Sequence, residues 1–251
     1  MAKTTGLGDG LLVSGYDVSG DVGSIGSIQQ TFGEQDMTAI SMYAMSRAQL
    51  IENGSLGFNN FFSSWNSESL EARSVHDILT GAVPGKRTTH AVSYHRGRSV
   101  GSWVANLNAM RFSYSLARSQ SGSLLGTVNC SSTEGTDAAI EWSRALTLFV
   151  VSPTAAIEYA AFGLGAADVR AFLQLLEFTG TDAVIKVQDS ADGSTGWADL
   201  LTLWDSAGDD PPPDAIVMDY TSSDAEDFLR IVVETSSGFT TLRFAASVHG
   251  L

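Results

Sequence analysis

The sequence predicts a mainly β protein. Residues 1–165 read as a first, turn-rich β domain with one helix, and residues 166–251 as a second, acidic β-sandwich. Three observations carry that reading. Glycine (25) and serine (32) are frequent while lysine is scarce (3), which fits short strands and many turns better than helices. Residues 110–131 alternate apolar and small polar side chains on either side of a turn. Charge is unevenly spread: residues 1–165 hold 13 acidic and 10 basic side chains, residues 166–251 hold 15 and 4. The break falls near Gly163-Leu164-Gly165-Ala166-Ala167. A chain of 251 residues is long enough to bury one large core or two ordinary ones.

Taken in order, residues 6–28 read as short extended pieces broken by Gly15, Gly20, Gly23 and Gly26. Residues 36–50 fit either an irregular crossover or a short helix. Leu56, Phe58, Asn60 and Phe62 alternate with Gly57, Asn59 and Phe61, a strand signal. The helix is expected over Ser67–Ala82. Ser67 can cap it, Glu68 and Glu71 suit its first turn, and Val75, Ile78, Leu79 and Ala82 form one apolar stripe before Pro84-Gly85. His76 and Asp77 fall at the solvated margin of that stripe. Ala91–Tyr94 is a strand. Then Met110, Phe112, Tyr114 and Leu116 alternate with Arg111, Ser113, Ser115 and Ala117. After a turn at Ser119–Gly122, Leu124, Val128 and Cys130 alternate with Leu125, Thr127, Asn129 and Ser131. This is a long antiparallel hairpin, apolar on one face and small and polar on the other. Two strands alone are unstable in water, so the apolar face must be covered. The polar face must look at solvent or a water-filled space. Residues 138–165 supply a strand and a connection. Beyond 171, strands at Phe172–Phe178, Ala183–Gln188, Phe228–Glu234 and Leu242–Val248 are separated by turn residues, as in a small sandwich.

Several segments resemble chemical sites and fail on context. Gly97-Arg98-Ser99-Val100-Gly101 matches the spacing of a nucleophile elbow, but the alternation of Trp103, Ala105 and Leu107 puts a strand where a helix is required. The only histidine downstream is His249. Gly6-Leu7-Gly8-Asp9-Gly10 has neither the preceding strand nor the following helix of a phosphate loop. His90 and His95, five apart on a strand, point to opposite faces and cannot share a metal. Asp189–Gly193 lacks the spaced ligands of a calcium loop and reads as a tight turn. Asp209–Asp214, with three prolines, reads as a stiff surface loop. The single cysteine, Cys130, excludes an internal disulfide framework and reads as a core residue. Lys86, Arg87, Arg96 and Arg98 are a short basic stretch in a chain of net charge −14, too narrow for a nucleic-acid footprint. No apolar run approaches the ~18 residues of a membrane span, and Met1-Ala2-Lys3 leads into glycine-rich sequence without the apolar stretch of a secretory signal. No catalytic, cofactor-binding or metal-binding residue is assigned, and the expectation is a structural or binding protein rather than an enzyme.

The N-terminal residues Gly6-Leu7-Gly8-Asp9 and Val13–Ser24 (VSGYDVSGDVGS), followed by Asn53–Phe58 and Phe61-Phe62, resemble major tail (tail-tube) proteins of long-tailed bacteriophages and related viruses. Phe178–Asp182, Val184–Asp192 and Ser236–Leu242 are similar to a domain often appended in that family. Ser41–Glu52 departs from the pattern. The resemblance implies a ring-forming tube domain over 1–165, a tail-tube type β-sandwich or barrel with one flanking helix, hexameric rings stacked around a lumen, and an outer β-sandwich, immunoglobulin-like or jelly-roll-like, over 166–251. It implies as partners copies of the chain itself, a tape-measure protein in the lumen, other tail proteins, and double-stranded DNA in transit. It places the protein in the virion tail, assembled in the host cytoplasm, with no membrane partner. Alternatives are a head decoration or minor tail protein, and a carbohydrate-binding sandwich using Trp197 and Trp204 as stacking platforms.

Overall fold

The computed structural model describes residues 8–38, 47–61, 75–80, 90–97, 99–118, 120, 122–132, 140–146, 169–220, 226–234 and 238–250. Among them the chain is almost entirely extended. In the first half the strands are β1 (Gly10–Val13), β2 (Tyr16–Asp17), β3 (Val22–Asp36), β4 (Arg47–Phe61), β5 (His90–His95), β6 (Trp103–Arg118), β7 (Leu124–Ser132) and β8 (Glu141–Ala145). In the second half they are β9 (Val169–Gly180), β10 (Val184–Ser190), β11 (Ala198–Asp205), β12 (Asp214–Tyr220), β13 (Phe228–Glu234) and β14 (Phe239–Gly250). One short helix, α1 (Val75–Thr80), is described. The mainly β class is as the composition and alternation predict.

The strands form one large sheet and one small one. The large sheet runs β12-β9-β14-β8-β6-β5-β1-β2, with β7, β4 and β3 branching from the distal half of β6. The main path curls until β2 lies beside β9 and β5 beside β12, so it nearly closes into a barrel. The small sheet, β11-β10-β13, packs on the outside of β9 and β14.

Period-2 alternation distributes the side chains among three interiors. Outward from β1, β5 and β6, residues Leu11, Val13, Val92, Ala105 and Leu107 pack against Leu56, Phe58, Val128 and Cys130, with Val75 and Ile78 of α1 closing the side. Outward from β9 and β14, Leu173, Leu175, Leu242 and Phe244 meet Ile185, Val187, Leu203, Trp204 and Ile231 of the small sheet. That is the sandwich the second half predicts, and its first layer is continuous with the large sheet. The third interior is that of the barrel, and it is largely polar. Its apolar cluster consists of Leu12, Leu176 and Ala245. Beside it, Gln174, Ser93, Asn106, Ser143 and Ser247 are all buried.

The barrel is closed by a clasp. The turn Ser14-Gly15 joins β1 to β2 with both residues at positive φ (50° and 81°), the two-residue hairpin geometry that favours glycine at its second position. The Gly15 N–H donates to Gln174 Oε1 at 2.7 Å, and Gln174 Nε2 donates to Ala91 O and Ser93 Oγ, each at 3.0 Å. A Cβ on Gly15 would lie 2.4 Å from the Asp214 amide nitrogen and 2.5 Å from the Leu175 carbonyl oxygen. Only glycine lets the first hairpin sit against β9 and β12. Farther along the barrel, Asn106 Nδ2 donates to Ser143 Oγ (2.6 Å) and Ser247 Oγ (3.1 Å), and Arg170 pairs with Glu141. Each of these contacts crosses from residues before 165 to residues after it, or joins strands that do.

Four expectations are corrected. The extended pieces of residues 6–28 are not all short: from Val22 the chain is one 15-residue strand, because register shifts at Val22/Ser24 and Ile25/Ser27 absorb Gly23 and Gly26 without breaking it. Residues 36–50 contribute neither a helix nor an irregular crossover where they are described: Asp36 ends β3 and Arg47 starts β4, opposite each other; residues 39–46 lie outside the described residues. His76 is half-buried rather than at a solvated margin, its ring 5.7 Å from that of Tyr114. Asp214 is not part of a surface loop, since it is buried and begins β12. Of the expected helix Ser67–Ala82, only Val75–Thr80 falls within the described residues, and Val75 and Ile78 are buried as the stripe requires. Its predicted cap at Ser67 and stop at Pro84-Gly85 lie outside them.

Candidate functional site

The branch β3-β4-β7-β6 is a four-stranded antiparallel sheet with two unlike faces. Register fixes which residues share a row. On the inner face one row reads Ile25, Phe58, Val128, Tyr114, and the next reads Ile28, Leu56, Cys130, Phe112. Leu56, Phe58, Val128 and Cys130 in these rows are buried in the first core. On the opposite face one row reads Ser24, Asn59, Thr127, Ser115, the next Ser27, Gly57, Asn129, Ser113, and the next Gln29, Ser55, Ser131, Arg111. Eleven of these twelve positions carry no charge. The predicted hairpin is therefore present as β6 and β7, apolar behind and mostly small and polar in front, where exposed Phe61 and Leu125 form a row with Ala117 at one end; the side chains of Met110, Arg111 and Phe112 lie outside the described set.

Hydrogen bonds run sideways along the polar rows. Asn59 Nδ2 donates to Ser24 Oγ at 3.1 Å and Asn59 Oδ1 accepts from Thr127 Oγ1 at 3.0 Å. Asn129 Nδ2 reaches Ser113 Oγ at 3.5 Å, and Ser132 Oγ donates to Asn53 Oδ1 at 3.1 Å while accepting from the Gly54 N–H. Gly57 leaves room for the Asn129 amide: a Cβ there would lie 2.8 Å from Asn129 Oδ1. These amides and hydroxyls hold one another in place, so the face is a fixed, uncharged hydrogen-bonding surface rather than a set of loose side chains. On the buried side, burial pushes the Cys130 thiol up to about 12, which keeps it protonated and inert.

Among the described residues the same sheet has two open edges. β3 pairs with β4 on one side, and no described strand lies on its other side. β6 pairs with β5 and β8 up to Ala109; from Arg111 to Arg118 it pairs only with β7 among the described residues. Both edges offer rows of backbone N–H and C=O groups for another strand.

The other candidate sites resolve as follows. Ser99 sits in a bend between β5 and β6, its carbonyl accepting from the Ser102 N–H, so a strand follows it and the elbow geometry is absent. His249 Nδ1 lies 2.8 Å from the Trp142 carbonyl oxygen. The Gly8–Gly10 segment runs into β1, not a helix. His90 and His95 lie an odd number of residues apart on β5; His95 is buried and His90 Nδ1 is 2.8 Å from Ser14 Oγ. At Asp189–Gly193 the oxygens are taken by the chain itself. Asp192 Oδ1 accepts from the Ser194 and Thr195 N–H groups, and Asp189 Oδ2 accepts from the Glu226 N–H. The Thr195 and Ser194 amides and the Thr195 hydroxyl hold the Asp192 carboxyl well below the usual carboxylate range. Arg96 is exposed; Lys86, Arg87 and Arg98 lie outside the described residues. Trp204 cannot be a stacking platform: it is 1% exposed, edge-on to Phe178 at 5.0 Å, with Nε1 donating to Asp210 O. Trp197 is half-buried under the Arg230 guanidinium, 4.1 Å from its ring centroid. The carbohydrate-binding alternative thereby loses its pair.

No family model and no curated protein matches the chain. Among solved structures it is similar to the SPP1 Dit protein, described as a hub adsorption apparatus in phages infecting Gram-positive hosts, with 11% identity and a TM-score of 0.34 over 97% of this chain and 99% of that one. It is also similar to chains of the phage p2 baseplate in its activated conformation, with calcium (9% identity, TM-score 0.32) and with strontium (9%, 0.31), over 97% of this chain and 98% of each.

Proposed function

We propose that the chain is a structural subunit of a long-tailed phage tail, a ring-former whose polar sheet face lines a channel. The observation that carries this reading is the pair of open edges flanking the β3-β4-β7-β6 sheet. The distal edge of β6 on one copy can pair with the outer edge of β3 on the next. The contact uses different surfaces on the two copies, so repeating it generates a ring rather than a closed dimer. Ring closure pairs both edges, which otherwise invite aggregation. Closed in this way, the sheets of successive copies form one continuous wall. Their apolar faces point into the first core of each copy, and the Ser24/Asn59/Thr127 and Asn129/Ser113 rows point toward the bore.

That lining suits the passage of double-stranded DNA. A polyanion is held by lysine and arginine through release of its counterions, and these rows offer hydroxyls and amides instead. In this reading residues 1–165 build a hexameric ring, one segment of the tube, and residues 166–251 form the acidic outer layer. Other tail proteins and a tape-measure protein are the partners, the latter occupying the bore before ejection. Assembly takes place in the host cytoplasm and the product resides in the virion tail. Negative-stain electron microscopy of the concentrated full-length protein tests this. Rings or tubes with a central bore are expected. Protein that stays monomeric at every salt and protein concentration, and does not join tails, overturns the reading.

A further inference from the structure

The barrel interior holds two hydrogen-bonded groups that stop just short of each other. The first is the clasp: the Gly15 N–H donates to Gln174 Oε1, and Gln174 Nε2 donates to Ala91 O and Ser93 Oγ. The second centres on Asn106, whose Nδ2 donates to Ser143 Oγ and Ser247 Oγ. Ser93 and Asn106 stand directly opposite each other in the β5–β6 register, and each is 1% exposed. Each has capacity left over. Ser93 Oγ accepts from Gln174, and its own hydrogen meets no acceptor among the described residues. Asn106 Oδ1 is sealed from solvent and accepts no hydrogen bond. A buried carbonyl oxygen without a donor forfeits its solvation.

Directly opposed residues on antiparallel strands have Cβ atoms about 4.5–5.5 Å apart. The two serine bonds draw the Asn106 amide nitrogen toward β8 and β14, which turns its oxygen to the β5 side, since β6 lies between β8 and β5. The group that satisfies both residues must accept from a hydroxyl and donate to an amide oxygen. A cation cannot use the serine hydrogen and would require several more oxygens. Ser143, Ala145 and Ser247 are small and buried, the polar, confined setting that holds ordered water. We propose that one bound water bridges Ser93 Oγ and Asn106 Oδ1 and fuses the two groups into a single chain. That chain runs Gly15, Gln174, Ser93, water, Asn106, then Ser143 and Ser247. It crosses three times between residues before 165 and residues after it, at Gly15–Gln174, Gln174–Ser93 and Asn106–Ser247. The change in charge near residue 165 is therefore not a folding boundary. Loosening either half strands buried polar groups in the other, so the two halves open as one unit.

The test uses the full-length protein. High-resolution diffraction should show one spherical peak within about 3.2 Å of both Ser93 Oγ and Asn106 Oδ1. Gln174 and Asn106 share no direct hydrogen bond, so coupling between them reports on the chain. In denaturant unfolding, the effect of Gln174→Leu and Asn106→Leu together on the unfolding constant should be about fivefold smaller than the product of the two alone. A Ser93→Ala background should abolish that coupling. In the unsubstituted protein the slowest amides of β5 and of β9 should share one opening constant, within about threefold. A direct Ser93–Asn106 bond, or a map with no peak between them, overturns the bridge. Additive substitutions, coupling that survives Ser93→Ala, or separate opening of β5 and β9 overturn the single unit. The diffraction and exchange measurements need no variant and decide the matter should a substituted protein fail to fold.

Discussion

Two sets of amides and hydroxyls do opposite work in this chain. On the β3-β4-β7-β6 sheet, Asn59, Thr127, Asn129 and Ser113 face outward and bond sideways to one another. In the barrel, Gln174, Ser93, Asn106, Ser143 and Ser247 are sealed away and bond across strands that meet from both halves of the chain. The residue types are the same and the energetics are not. A polar group at the surface exchanges protein partners for water at little cost. A buried one left without its partner loses its full solvation. The outer set can vary without loss of the fold, whereas the inner set is fixed by it.

Substitutions can break or sharpen that contrast. The largest effect is expected at the clasp. Gly15→Ala places a Cβ against the backbone of Leu175 and Asp214 at a positive φ, and should cost about 3–4 kcal/mol in denaturant unfolding. Gln174→Leu keeps the volume but strands the Gly15 N–H and the Ser93 hydroxyl; a loss of about 2–3 kcal/mol is expected by the same measurement. Thr127→Val, on the outer face, should change stability by no more than about 0.5 kcal/mol. A loss there as large as that of Gln174→Leu would erase the distinction. The smallest effect is local and depends on pH. Asp192 is exposed and its carboxyl is lowered by the Thr195 and Ser194 amides. Its contribution is therefore fully present above the ordinary carboxylate value of about 3.9 and fades as the pH falls below that toward the lowered value. Amide exchange at Ser194 and Thr195, corrected for intrinsic rate, should speed up on acidification while that of the β9 amides does not.

What the sequence made legible follows from where water lies. The β6–β7 hairpin could be read because one face is wet and the other dry, which writes a period of two into Tyr114, Val128 and Cys130 against Ser113, Thr127 and Asn129. The distal half of β3, Gln29–Asp36, could not, because both of its faces are exposed and Gln29-Gln30, Glu34 and Gln35 carry no alternation. β11 and β12 were missed for related reasons: register shifts in β10 against β11 disturb the period, and β12 opens on a buried aspartate after three prolines. The polar barrel interior left one trace, Gln174 inside Phe172-Leu173-Gln174-Leu175-Leu176. A strand apolar on both sides is buried on both, and a lone glutamine within it must have found partners. The charge split between the halves was visible, but the seam between them was not, since pairing of β8 with β14 has no signature in either strand.

That seam has a mechanical consequence. Arg144 and Ala145 pair with Val248 and Ser247, the Leu146 N–H donates to the Ala246 carbonyl, and the Leu146 side chain is tucked into the far core. The β9–β14 layer is therefore joined to β8 and β6 by strand pairing within one sheet. A tug on the β11-β10-β13 side loads those backbone bonds along the strands, in shear, and the strain passes through β8 into β6.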